Sequence, residues 1–292
     1  MDNFRGSVLM VLAMLAFAIV DAIIKATSDT LPVGQIVMIL GTGGAVVLSA
    51  VALRQNPRAF VPHAWQPLII LRNLSEALGS LCFVTALSLI PLSTASAVLQ
   101  ATPLIVTIGA GLFLGEAIGW RRWTAIAVGL AGVLMILRPG LEGFDANVLF
   151  AIGGVLGLGA RDLITRMVPK SIPSSNLAAY AFLFLIPTGW AMMLMAGQDW
   201  VTPPPALTGQ LALAIAIVIG AYFAIIGATR IGDLSAIAPF RYTRIVFALI
   251  IGAIFFAERP DALTLLGAAI IVGSGLYTLW RESRLNRHKP AL

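Results

Sequence analysis

One cysteine and two histidines in 292 residues leave little from which to build several common kinds of site. Cys82 stands alone inside an apolar run, so an intramolecular disulfide is excluded. His63 and His288 fall between apolar runs, and neither a zinc site nor a buried histidine proton relay has anything to start from. No metal is expected. Charge is also scarce, at 11% Asp, Glu, Lys and Arg, where soluble domains carry roughly 25%. No Gly-x-x-x-x-Gly-Lys phosphate loop occurs, so direct ATP coupling is not expected, and no cofactor is implied.

Apolar surface is what the chain has in excess: 59% of its residues are apolar and the mean hydropathy is +0.95. A water-soluble core cannot absorb that much, so the solvent is lipid. The net charge of +6 does not point to nucleic acid, because the basic residues are spread along the chain and no basic domain stands apart. The expected partners are the bilayer and a small molecule.

A helix needs ~20 apolar residues to cross the hydrocarbon core. Hydropathy predicts spans over Gly6–Lys25, Val33–Leu53, Pro67–Ser88, Leu92–Leu114 and Trp123–Leu137 in the first half. The second half gives Ala146–Thr165, Asn176–Ala196, Ala206–Thr229, Leu234–Ala257 and Ala262–Trp280. Of the 19 Lys and Arg, Lys25, Arg138 and Arg259 fall on one side, Arg72, Arg161, Arg241 and Arg244 lie within spans, and the remaining twelve share the side of the N-terminus. That bias predicts cytoplasmic N- and C-termini in a bacterial-type inner membrane. Arg5 and Ala16-Phe17-Ala18 imitate a cleavable signal peptide, but cleavage would remove a helix that the second half repeats, so retention is expected.

That repetition organises the chain. Asp21, Ile23 and Lys25 recur as Asp162, Ile164 and Arg166; Leu92-Ser93 recurs as Leu234-Ser235; Phe113 and Glu116 recur as Phe255 and Glu258. A five-span unit copied in tandem must sit upside down in its second copy. The predicted fold is therefore all-α, with two inverted five-helix repeats, residues 1–140 and 141–292, forming a basket around a central cavity.

A mid-span charge is costly unless it faces a cavity or a partner. The candidate pathway residues are Asp21 and Lys25 in the first span, Arg72, Asn73 and Glu76 in the third, and Gln100 in the fourth. The second half adds Arg161, Asp162 and Arg166 in the sixth, Tyr222 in the eighth, and Arg241, Tyr242 and Arg244 in the ninth. Lys25, Arg72 and Arg166 have an alternative in snorkelling to the interface. Asp21 with Lys25, and Arg72 with Glu76, have the i,i+4 spacing of local neutralising pairs. Arg241 and Arg244 share a face with no acid in their helix.

Six basic groups against three acidic ones suit a substrate with a carboxylate, which guanidinium forks bind well. Phe83, Tyr222 and Tyr242 offer apolar contact to its side chain. Pro103 and Pro239 each remove a helical N–H and predict kinks in the fourth and ninth spans. Glycines on the sixth span read as packing within the chain, and those on the fifth and tenth suit packing or a homodimer contact equally well.

Two further features carry a resemblance: Gly115-Glu116 and Ala257-Glu258, each just after the fourth span of its half, and Ala101-Thr102-Pro103-Leu104 in the fourth span itself. With the glycine-bearing fifth spans, they resemble the EamA-type, ten-helix branch of the drug/metabolite transporter superfamily, and the overall run is similar to YddG-type amino-acid exporters. The resemblance implies alternating access and export of amino acids, neutral or aromatic, and related metabolites. A nucleotide-sugar, sugar-phosphate or organic-cation transporter is the alternative within the superfamily. A pore-forming channel is a further alternative, which saturable, counter-transportable flux would exclude. No enzyme is expected: Asp21 and Asp162 lack the Gly-x-Gly-Asp context of intramembrane aspartyl proteases, and repetition alone accounts for both.

Overall fold

The computed structural model describes residues 2–55, 57–116, 119–138, 145–169, 171–232 and 234–287. His288 and the boundary between residues 140 and 141 lie outside them. Among the described residues, ten helices are long and apolar enough to cross a membrane. They are Asn3–Ser28, Val33–Gln55, Pro67–Leu89, the broken pair Leu92–Leu99 and Thr102–Phe113, and Trp120–Leu137, then Val148–Met167, Ser174–Ala196, Pro205–Ile231, a broken ninth span and Ala262–Arg287. The ninth consists of Leu234–Ile237, a 3-10 segment Ala238–Tyr242, and Thr243–Phe255. Hydropathy gave no sign of one element, the two-turn helix Pro57–Ala64. It is anchored by Phe60, whose ring lies 4.9 Å from that of Tyr180 and whose carbonyl accepts the Tyr180 hydroxyl proton.

Ten crossings bring the two ends of the chain to one face, called here the termini end; the other is the distal end. The main helix pairs are first with eighth, third with sixth, second with seventh, and fifth with tenth. If the first span corresponds to the sixth and the third to the eighth, the first two pairs are one contact made twice. The other two pair each helix with its own counterpart. Every major interface thus joins the two halves, which leaves the space between them as the natural cavity.

Lipid supplies no hydrophobic force between helices, so close backbone approach drives association. Gly79 and Gly157 provide it for the third and sixth spans: a Cβ on Gly157 would lie 2.5 Å from Gly79 Cα. Gly157→Ala is therefore expected to lower unfolding stability by about 1–3 kcal/mol, the usual cost of overpacking, read as a fall in thermal midpoint in detergent. The fifth and tenth spans approach in the same way. A Cβ on Gly132 would meet the Gly267 carbonyl oxygen at 2.8 Å, and one on Gly267 would meet that of Gly132 at 2.7 Å. Of the glycines that suited packing or a homodimer equally, Gly132 and Gly267 are thus turned to each other within the chain, while Gly273 faces open space. At the distal end this pair is tied by Asp261, which accepts the Thr264 N–H at 2.9 Å and pairs with Arg138. Those contacts, Arg138 first, hold the Asp261 carboxyl below the usual carboxylate range.

Candidate functional site

Both prolines break their spans, by different means. Helix geometry lapses at Gln100 and Ala101, and the Leu99 carbonyl that Pro103 leaves without a backbone donor accepts the Thr102 hydroxyl at 2.6 Å. In the ninth span Pro239 lies inside the 3-10 segment. The two breaks meet, with Gln100 Nε2 3.4 Å from the Arg241 carbonyl oxygen across a sequence separation of 141. That separation is one residue short of the 142 that relates Leu92 to Leu234 and Phe113 to Phe255, so this contact joins nearly equivalent positions of the two halves.

The charges sort into two buried groups. Glu76 forms an ion pair with Arg72 Nη2 at 2.7 Å from its own helix, without an aligned hydrogen bond, and accepts from Arg161 Nη1 at 2.8 Å from the sixth span. Arg161 also lies 2.8 Å from Asp162, an ion pair without an aligned hydrogen bond, which completes a four-member chain of alternating sign. Arg72 further donates to Asn73 Oδ1 at 2.8 Å and to the Leu177 carbonyl at 3.3 Å, so it is tied inside the bundle and does not snorkel.

The second group pairs Asp21 with Arg244, whose Nε and Nη2 reach the same carboxylate oxygen at 3.1 and 2.6 Å. The guanidinium is held between Phe17 and Phe83, 5.3 and 5.5 Å from their centroids. The local pair of Asp21 with Lys25 does not form. Lys25 donates instead to the carbonyls of Leu87 and Ile90 at 3.2 and 2.7 Å.

Between these groups lies a cavity of about 150 Å³ bordered by Phe17, Leu40, Glu76, Ser80, Phe182 and Tyr222. Tyr222 meets Phe17 and Phe182 edge to face, with centroids 6.3 and 5.5 Å apart. It is smaller than pockets for drug-sized ligands, which run ~300–1,000 Å³, and suits one small side chain or ring. Tyr242 is not on its lining: its ring packs on the tenth span, against Gly275. Phe83 enters through its contact with Arg244. Spacing alone did not single out Phe17, Ser80 or Phe182, because ordinary residues of an apolar helix give no signal.

The six-to-three excess of positive charge does not survive folding. Arg72, Arg161 and Arg244 are matched by Asp21, Glu76 and Asp162. Lys25 and Arg166, at opposite ends of the bundle, lie near two acids left out of that count: Lys25 feels the charge of Glu258, and Arg166 is 3.7 Å from Glu116. Arg241 remains. Among the described residues it has no acidic partner, and it is exposed. It lies in the 3-10 segment, just before the helix Thr243–Phe255 that carries Arg244 and the buried Ile245, Ala248 and Gly252. Its exposure at the break of the ninth span sets Arg241 apart from the paired arginines.

The sequence profile of the EamA-like transporter family matches residues 4–138 and again 146–280. The chain is 30% identical to an S-adenosylmethionine uptake transporter of Rickettsia felis over 75% of its length and 74% of the relative's. It is 28% identical to a riboflavin transporter of Vibrio cholerae, covering 98% of this chain and 96% of that one. A pseudopaline exporter of Pseudomonas aeruginosa is 30% identical over 91% of this chain and 93% of its own. A solved crystal structure superposes with a TM-score of 0.61 at 19% identity, over 96% of this chain and 98% of that chain, a likeness of fold.

Proposed function

Because the chain belongs to the EamA-like transporter family, we propose that it exports a small carboxylate-bearing metabolite of the amino-acid kind by alternating access. Arg241 is the observation that carries this reading. It is an exposed cation at the break of the ninth span, without an acidic partner among the described residues, and a carboxylate is the complementary ligand. Phe17, Phe182 and Tyr222 suit an aliphatic or aromatic side chain beside that headgroup. S-adenosylmethionine, named for the Rickettsia relatives, carries such a headgroup, and the pseudopaline exporter supports the outward direction. The Lys and Arg bias supports cytoplasmic termini in a bacterial inner membrane. The two moving units in this reading are the five-span halves, residues 1–140 and 141–292.

The test is counterflow in proteoliposomes, with labelled methionine, phenylalanine, S-adenosylmethionine, riboflavin and tetraphenylphosphonium. Saturable counterflow is expected for at least one amino acid or for S-adenosylmethionine. Counterflow confined to riboflavin or to the lipophilic cation would overturn the carboxylate reading.

A further inference from the structure

At the distal end, the short link between the third and fourth spans is gripped from both sides. Lys25 Nζ donates to the Leu87 and Ile90 carbonyls at the end of the third span. Glu258 accepts the N–H groups of Leu92 and Ser93 at 2.6 and 3.0 Å, and the Ser93 hydroxyl at 2.6 Å, at the start of the fourth. A cation on terminal carbonyls and an anion on initial N–H groups satisfy both helix ends and oppose their dipoles. The grip joins the first span and the ninth-to-tenth connection to the third and fourth.

Every part of this grip has a counterpart at the termini end. Arg166 corresponds to Lys25, Glu116 to Glu258, and Leu234-Ser235 to Leu92-Ser93. The turns that present the two glutamates have one geometry. Gly115 and Ala257 both take left-handed backbone, φ 67° and 51°, and the next N–H reaches back six residues, Glu116 to Ala110 at 3.2 Å and Glu258 to Gly252 at 3.0 Å. Alanine disfavours that conformation, so the turn at Ala257 is held by what Glu258 binds. Glu116, by contrast, has a 41% exposed side chain, with Arg166 3.7 Å away. One grip is closed and its counterpart is loose, at the end where Arg241 is exposed.

Resting on the alternating-access reading, we propose that these are two alternating latches. Glu258 with Lys25 holds the third-to-fourth connection while the cavity opens to the termini end. Glu116 with Arg166 takes the eighth-to-ninth connection, at Leu234-Ser235, when the cavity opens to the distal end. Each acid thereby sets which side of the membrane reaches the substrate.

The experiment places one reporter cysteine in the cavity, Ser80→Cys with Cys82→Ala, and labels it with a membrane-impermeant methanethiosulfonate from each side. Gln198→Cys, in the distal connection after the seventh span, identifies the distal side. Glu258→Gln should raise the ratio of distal to termini-side labelling at least threefold. Glu116→Gln should lower it by a similar factor, and the double variant should return toward the parent, which general damage would not do. If Glu258→Gln does not fold, Ser93→Ala carries the same expectation at smaller size. An unchanged ratio, or shifts in the same direction in both single variants, overturns the latches and leaves the transport reading standing. Labelling from one side only in every variant overturns alternating access and the latches together. Neither readout depends on the substrate.

Discussion

Glu76→Gln is expected to lower unfolding stability by about 3–5 kcal/mol, the cost of removing one partner from a buried ionic group. The carboxylate is shared by two guanidiniums, Arg72 at 2.7 Å and Arg161 at 2.8 Å, and its own side chain is 9% exposed. Without it, Arg161 keeps only Asp162 as an ionic partner, and Arg72 keeps only neutral acceptors. The same group links the third span to the sixth, across the interface that Gly79 and Gly157 bring close. Combining Glu76→Gln with Arg72→Met should recover half or more of the loss, because the orphaned charge is removed as well. Chemical unfolding in detergent reads both variants against Arg281→Gln, past the lipid-buried part of the last helix, where little change is expected. Unchanged stability in Glu76→Gln would remove the cross-link from the account of the fold.

Arg241→Gln should act on substrate and leave the fold intact. Among the described residues no acid is left unpaired, so stability should stay within about 0.5 kcal/mol of the parent, as for surface changes. A lost charge-assisted contact of ~1.5–3 kcal/mol corresponds to roughly a tenfold to hundredfold rise in half-saturating concentration. Maximal flux should change less. Arg244→Gln has a different signature, because Asp21 then stays buried without its partner, and both stability and flux should fall. Adding Asp21→Asn should restore stability and leave the flux low. Saturation curves at matched expression separate the two arginines. An unchanged half-saturation value in Arg241→Gln would remove Arg241 from the substrate path.

The spans were legible because length and hydropathy state them directly, and every predicted span overlaps an observed helix. The breaks were legible from Pro103 and Pro239, although the 3-10 form of the second was not. Charge pairing was legible only in part: Arg72 and Glu76 do pair at their i,i+4 spacing. Asp21 and Lys25 have ideal local spacing, yet Asp21 takes a partner 223 residues away. Arg161 and Asp162 are neighbours in sequence and do pair, with the help of Glu76 from another helix. In a ten-helix bundle a charge chooses among several facing helices, and periodicity on its own helix ranks none of them. Glu116 and Glu258 were visible as a repeated motif, but the cap that Glu258 forms needed the fold that brings the ninth-to-tenth connection to Leu92 and Ser93.

In the proposed function substrate choice rests on carboxylate recognition, which is most directly tested by competition in proteoliposomes at neutral pH. Phenylalanine and methionine are compared with their amides against a labelled amino acid that the protein carries. The acids should compete at least tenfold better than the amides, as loss of one charge-assisted contact requires. That advantage should shrink to less than about threefold in Arg241→Gln, which keeps the cavity and less than ~0.7 kcal/mol of preference. Equal competition by acid and amide in the parent protein would contradict carboxylate recognition, and the substrate would then be sought among neutral and cationic molecules.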